Sequence, residues 1–218
     1  MARIFALGDL HGCNEAFHRM LFDKIKIEKT DKIYCMGDYI DRGLQSKEVV
    51  DTIISLREQG FFIHTLRGNH EQMMIDSDDS NEHFEHWFNN GGDTTLNSFG
   101  IEKFAEMPVK YRQFFLNTKF CISTANYIFV HAGLNFMRED IFEDKDAMLW
   151  IRQFKPDQPA LKNKILVHGH TPKPLEEILL QTGNCINIDG GCVYNQNMIY
   201  GNLVAISLPG KEFIVERN

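Results

Sequence analysis

Five short clusters of acidic, imidazole and amide side chains punctuate this chain, each following an apolar run. They read GDLHG at Gly8–Gly12, GDYIDRG at Gly37–Gly43, RGNHE at Arg67–Glu71, HAG at His131–Gly133 and HGHT at His168–Thr171. The side chains they present include Asp9, His11, Asp38, Asp41, Asn69, His70, His131, His168 and His170. Carboxylate, imidazole and amide oxygen form a mixed oxygen and nitrogen donor set without thiolate. Such a set suits Mn, Fe or Zn, and fits neither a thiolate zinc site nor an all-oxygen calcium site. Asp9 and His11 are spaced D-x-H, so in an extended segment both point to the same side and can grip one ion. A carboxylate has two oxygens and can bridge two ions. The donors outnumber what one tetrahedral or octahedral centre takes. Two ions roughly 3.5–4 Å apart would use them all and would clamp a phosphoryl transfer in line.

Taken singly, each cluster has a bland explanation. A Gly-Asp after a strand is usually a turn, and a lone buried histidine is usually a satisfied core group. Five independent clusters, each at the end of a short apolar run, are poorly explained as turns. The runs Arg3–Leu7, Lys32–Met36, Phe61–Leu66, Tyr127–Val130 and Lys164–Val167 read as buried strands. Between them lie helical spacings: Glu15–Asp23, with Phe17, Met20 and Leu21 on one face, and Ser46–Glu58, with Val49, Val50, Ile53, Ile54 and Leu56. This alternation predicts an α/β domain with its site on loops beyond the carboxyl ends of the strands. Residues 76–117 break the pattern. An acidic stretch leads into Trp87 and Asn89-Asn90-Gly91-Gly92, then a helical segment opens near Pro108. A helical insertion over the site is expected there, with Trp87 lining the cleft or filling the insertion's core. The tail from Cys185 to Val215 reads as several short strands.

Thirty acidic against 23 basic residues leave a net charge of −7. No basic surface suggests a nucleic-acid partner. An acidic protein that binds phosphate must concentrate positive charge locally, through metals or a few arginines. The five cysteines are scattered without a C-x-x-C pair, which fits reduced thiols and a cytoplasmic location. No stretch approaches the ~20 apolar residues of a membrane span.

GDLHG, GDYIDRG, GNHE, HAG and GHT, in this order, resemble the signature motifs of the metal-dependent serine/threonine phosphoprotein phosphatases, a family of calcineurin-like metallophosphoesterases with small prokaryotic and viral members. The motifs span Gly8 to Thr171, and Leu149-Trp150-Ile151-Arg152 resembles the family's Leu-Trp-x-Arg segment. The resemblance implies one metallophosphoesterase domain over residues 1–218, with two central β-sheets flanked by helices and the site at strand ends. It implies two divalent metal ions, Mn²⁺ first, with Fe or Zn also fitting. Asp9 and His11 would hold the first ion, Asp38 would bridge, and Asn69, His131 and His170 would hold the second. Arg42 and Arg152 would bind phosphate oxygens. His70 would be the general acid, oriented by Asp41. The implied reaction is hydrolysis of phosphoserine or phosphothreonine, with phosphotyrosine within reach, in a phosphoprotein or phosphopeptide. A hydroxide bridging the two metals would attack directly, without a phosphoenzyme.

General chemistry agrees with these roles. Water shared by two cations loses a proton near neutral pH. Arginine forks match phosphate oxygens. An alkoxide leaving group needs a positioned acid, and histidine serves if a carboxylate fixes its tautomer. Spacing alone leaves both His168 and His170 available as ligands; the resemblance selects His170, which precedes Thr171. Glu71 and Asp189 are expected as supporting partners or turn residues. His18, His64, His83 and His86 lack a motif and are expected at the surface or in packing. A rival on the same scaffold is the symmetrical diadenosine tetraphosphatase. That group shows Ala-Arg-Gly where this chain has Asp41-Arg42-Gly43, and GNHD in place of GNHE.

Overall fold

The computed structural model describes residues 2–218. Its strands are β1 (Ile4–Leu7), β2 (Lys32–Cys35), β3 (Phe62–Thr65), β4 (Cys121–Ser123), β5 (Tyr127–Val130), β6 (Ile165–His168), β7 (Cys185–Asn187), β8 (Asn202–Leu208) and β9 (Glu212–Arg217). They form two sheets, ordered β3-β2-β1-β8-β9 and β4-β5-β6-β7. β1, β2 and β3 run parallel, as do β5, β6 and β7, and the other pairings are antiparallel. The parallel strands put the carboxyl ends of β1, β2 and β3 on one edge of the first sheet, and those of β5 and β6 on one edge of the second. The motif clusters follow those ends.

Strand periodicity sorts the core into layers. Ala6, Tyr34 and Met36 face inward and pack with Phe129, Val167 and Ile186 of the second sheet. The alternate residues Phe5, Leu7, Ile33 and Cys35 face the other way, against Phe17, Met20, Leu21, Val49, Val50 and Ile53. On the outer face of the second sheet, Ile128, Val130 and Leu166 pack with Leu134, Met148 and Leu161. Strands buried on both faces read as continuous apolar runs; β1, β2, β5 and β6 are of this kind over most of their length, β3 is buried at alternate residues, and all five lie within a residue or so of their predicted bounds.

Three helices lie in the chain as far as residue 76: α1 (Asn14–His18), α2 (Ser46–Glu58) and α3 (Asn69–Asp76). The helix expected over Glu15–Asp23 continues to Ile25, but its winding widens to a π-type turn over Arg19–Ile25 and ends at Lys26 in the left-handed region. Helical structure also begins earlier than residue 76, because α3 starts on the GNHE motif itself. The Glu71 side chain accepts the Gly68 N–H at 2.8 Å, closing the first turn in the manner of a capping box. The region beyond holds α4 (Asn81–Trp87), a kinked turn at Phe88–Gly92 with Gly91 outside helical geometry, α5 (Asp93–Phe99), and α6 (Val109–Leu116), with Pro108 just before it. α7 (Lys145–Trp150) and α8 (Leu175–Leu179) complete the α-helices. Among the described residues no helix is long and apolar enough to cross a membrane.

Candidate metal centre

The three loops after β1, β2 and β3 are knitted together by backbone bonds before any side chain is considered. The N–H groups of Leu10 and His11 both donate to the Asp38 carbonyl, at 3.1 and 2.7 Å, and the Gly12 N–H donates to Tyr39. The fully buried Glu71 carboxylate accepts N–H groups from Asp38, Tyr39 and Gly68, each at 2.8 Å. Burial, with Asp38 nearby, pushes Glu71 up to about 8 against these three donors. His11, Asp38, Asp41, Arg42 and His170 all have φ between 40° and 70°. A non-glycine residue held there costs on the order of 1–3 kcal/mol. Five in one place mark a constellation that the surrounding fold holds against local preference.

The donor atoms converge with their lone pairs inward. His11 Nδ1 lies 2.8 Å from the Ile40 carbonyl, and His131 Nδ1 lies 2.9 Å from the Met36 carbonyl. A carbonyl only accepts, so each Nδ1 carries the proton and each Nε2 presents a lone pair. His131 Nε2 nevertheless stands 3.0 Å from Asn69 Oδ1 and 3.5 Å from Asp38 Oδ1, both acceptors. His11 Nε2 stands 3.4 Å from Asp38 Oδ2. Burial holds His11 and His131 below the usual imidazole range, against the pull of the Asp38 charge. Lone pairs facing lone pairs in a buried space call for a cation between them.

The remaining donors point the same way. His170 Nδ1 is 2.9 Å from Asn69 Oδ1. Asp9 Oδ2 accepts the His170 N–H, while Asp9 Oδ1 is buried without a hydrogen-bond partner. Burial and the nearby Asp189 and Asp38 carboxylates push Asp9 well above the carboxylate range. Asp38 is the shared member. Burial alone would raise it, but the histidines around it, His131 first, pull it far down. Its two oxygens face His11 on one side and His131 with His170 on the other. Donor atoms of Asp38, His131 and His170 lie within 4.8 Å of one another, as do those of His11, Asp38 and His70. This donor set fits two divalent cations sharing Asp38.

Beside it sits an acid–base pair. His70 Nδ1 is 2.7 Å from Asp41 Oδ2, and both residues are almost fully buried. The Asp41 carboxylate also accepts the Trp87 indole N–H, at 2.9 Å on Oδ2, and the Thr95 hydroxyl, at 2.6 Å on Oδ1. The Arg42 guanidinium reaches His11 Nε2 at 2.7 Å, a positive group standing at the lone pair that a metal would take. Arg152 follows α7, where Met148 and Leu149 are buried, and is itself exposed. The Trp150 ring, two residues before it, lies 6.3 Å from His170.

Residues 2–200 match the family described as calcineurin-like phosphoesterase. The chain belongs to that family. Its members use a binuclear metal centre, in keeping with the shared Asp38. Serine/threonine-protein phosphatase 1 of Salmonella typhimurium is 34% identical over 90 residues, covering 41% of this chain and 39% of that protein. An asymmetrical bis(5'-nucleosyl)-tetraphosphatase of Anoxybacillus flavithermus is 25% identical over 95% of this chain and 91% of its own. A cold-active protein-tyrosine phosphatase from a psychrophilic Shewanella superposes with a TM-score of 0.67 at 18% identity, covering 99% of this chain and 77% of that one. The chain spans less than half the length of the first curated relatives it matches.

Within this phosphoesterase, the two histidines of the HGH motif diverge. His170 turns toward Asn69 and Asp38, whereas the His168 ring packs at 5.3 Å against Phe154 on the outer side of the second sheet, where burial pushes it down to about 4. His170→Ala is therefore expected to lower metal occupancy far more than His168→Ala. Elemental analysis of both variants checks this, and the reverse ranking would move the ligand to His168. Asp189 behaves as a turn residue, accepting the Gly191 N–H at 2.9 Å, yet its buried carboxyl is driven to about 7 by burial, with the Asp38 charge adding to the rise. His64 stacks on Tyr34, His18 meets Thr52, and His83 and His86 are exposed. Sequence reasoning missed Thr95 and left Trp87 undecided. Both lie more than 40 positions from Asp41, and no spacing pattern announces such a bond.

Proposed function

We propose that this phosphoesterase hydrolyses phosphoserine and phosphothreonine monoesters in proteins or peptides, with phosphotyrosine as a further substrate. The observation that supports this reading is the buried Asp41–His70 pair, 2.7 Å between Asp41 Oδ2 and His70 Nδ1. A serine alkoxide leaves only with a proton, since the pKa of its alcohol is near that of water, about 16. A nucleotide leaving from a phosphoanhydride departs as a phosphate, whose second pKa is about 6, and needs no acid. A dedicated, carboxylate-fixed histidine is machinery for the poor leaving group.

In this reading, Asp9, His11 and Asp38 would hold one cation, and Asp38, Asn69, His131 and His170 would hold the other. When bound, the two cations supply positive charge to the phosphoryl oxygens and acidify water. Arg42 and Arg152 fork the phosphate oxygens and set the phosphorus in line. Asp41 keeps the proton on His70 Nδ1, so that Nε2 is the end that delivers a proton to the departing oxygen.

A second reading draws on the nucleoside tetraphosphatase relative that is similar over nearly the whole chain. Side-by-side assay of a phosphoserine peptide, a phosphotyrosine peptide and a dinucleoside tetraphosphate, with Mn²⁺, separates the two. The expected order of kcat/KM puts the phosphopeptides first by at least about tenfold. A dinucleoside tetraphosphate as the better substrate would replace this reading with the second.

A further inference from the structure

The Asp41 carboxylate is fully buried. A desolvated carboxylate is costly unless donors replace its water, and here three donors surround it. His70 is one of them. The other two, Trp87 Nε1 and Thr95 Oγ1, come from the helical segment beyond α3. Thr95 is held in turn, because its hydroxyl oxygen accepts the Asp41 N–H at 2.9 Å while donating to Oδ1 at 2.6 Å. Trp87 is fully buried, with Phe84 at its edge and Gly92 beneath its ring. A Cβ at position 92 would lie 2.7 Å from that ring, and Gly91, at φ 103°, gives its carbonyl to the Arg42 N–H at 3.2 Å. The turn Phe88–Gly92 is thus shaped to seat the indole on Asp41 and to fasten the strained Asp41–Arg42 backbone.

We propose that Trp87 and Thr95 are positioning residues of the acid: they fix the rotation of the Asp41 carboxylate, and through it the direction in which His70 offers Nε2. The helical insertion is then part of the catalytic apparatus. This inference rests on the reading of His70 as the proton donor to a poor leaving group. Oδ1 and Oδ2 divide the work. Thr95 pins the first at 2.6 Å, His70 and Trp87 share the second at 2.7 and 2.9 Å with the indole also 3.2 Å from the first, and all three together fix the carboxylate most narrowly about its Cβ–Cγ bond. Loss of either fixed donor leaves the buried carboxylate partnered by the remaining two, but widens the range of that rotation.

Trp87→Phe keeps most of the ring and removes its N–H; Thr95→Val keeps the shape and removes the hydroxyl. Each is expected to lower kcat for a phosphoserine peptide about tenfold, in keeping with the loss of one hydrogen bond to a charged group. KM, metal content and kcat for nitrophenyl phosphate should each change less than about twofold, since nitrophenolate needs little protonation. In a His70→Asn background, Trp87→Phe should lower phosphoserine turnover by less than about twofold further, because residues acting through one step are not additive. Equal loss on both substrates, or an undiminished loss in the His70→Asn background, would make Trp87 packing only and overturn the proposal. Thr95→Val carries the test if Trp87→Phe fails to fold. If His70→Asn itself struck both substrates equally, the acid reading would fall and take this inference with it. If His70→Asn discriminated while Trp87→Phe and Thr95→Val did not, this inference alone would fall.

Discussion

Chelation of an active preparation is expected to abolish phosphoester hydrolysis, and added Mn²⁺ to restore it. The expectation follows from what the buried donors lack in each other. His131 Nε2 and Asn69 Oδ1, two acceptors, stand 3.0 Å apart, and Asp9 Oδ1 is buried with no partner. Two buried carboxylates, Asp9 and Asp38, share this space. Arg42 touches the edge of the cluster at His11 Nε2, and one guanidinium cannot serve every inward lone pair. Removing a single preorganised donor from an oxyanion site costs about 10²–10³-fold in rate, and removing two cations removes both the clamp on the phosphoryl oxygens and the acidified water. The fold should feel the loss as well. A ligand that binds only the native state stabilises it by mass action, so the chelated protein should melt at a lower temperature than the loaded one, by several degrees. Activity by titrated addition of Mn²⁺, Fe²⁺ and Zn²⁺, with metal content measured beside it, checks both. Full turnover in a preparation shown to be metal-free would end the two-cation reading.

How far the sequence discloses such a site depends on whether the signal is local. β1, β2, β5 and β6 announce themselves because strands buried on both faces over most of their length must be largely apolar, and β3 because its alternate residues Ile63 and Thr65 are buried; each ends at a residue that can turn. The motif at each end is contiguous, so its residue types survive as a readable string. Glu71 was recognisable as a partner because it lies within the GNHE string. The reason it is needed, three backbone N–H groups pointing into the loop after β2, is visible only in three dimensions. β4 escapes notice because two half-exposed residues and an exposed serine at a sheet edge make too short an apolar run. The widening of the helix after His18 has no compositional mark; Arg19–Ile25 reads as ordinary helix. Trp87 and Thr95 are illegible for a different reason. Each is an unremarkable helical residue by periodicity, and its meaning comes from a bond to Asp41 across more than 40 positions. The string Asn89-Asn90-Gly91-Gly92 hinted at a special turn without saying what that turn holds.

Replacing His70 with Asn is expected to cut hydrolysis of a phosphoserine peptide about 10²–10⁴-fold, the usual contribution of general acid catalysis, while nitrophenyl phosphate loses much less. The difference lies in the leaving group. A serine alkoxide cannot depart without a proton, whereas nitrophenolate spreads its charge over the ring. Geometry assigns the proton to one atom. Nδ1 is engaged with Asp41 Oδ2 at 2.7 Å, so only Nε2 is free to act on a leaving oxygen. The ring lies 4.7 Å, centroid to centroid, from that of His11, which places it against the cation cluster without requiring it as a ligand. An alternative fits the same distances, because donor atoms of His11, Asp38 and His70 also lie within 4.8 Å of one another, and His70 could bind a cation directly. The two possibilities part cleanly on metal content. As the acid, His70→Asn keeps both cations and loses turnover according to leaving group. As a ligand, it loses a cation and fails on both substrates alike. Asp41→Asn supplies the internal control. It retains an oxygen for one donor but presents an N–H₂ group to another, so it disturbs the acid indirectly and should show the same ordering of substrates more mildly. The measurement is kcat on both substrates for wild type and the two variants, with chemistry shown to be rate-limiting and metal counted by elemental analysis. Equal losses on the two substrates with both cations retained would mean that His70 acts through charge or position, and the proton would have to come from elsewhere.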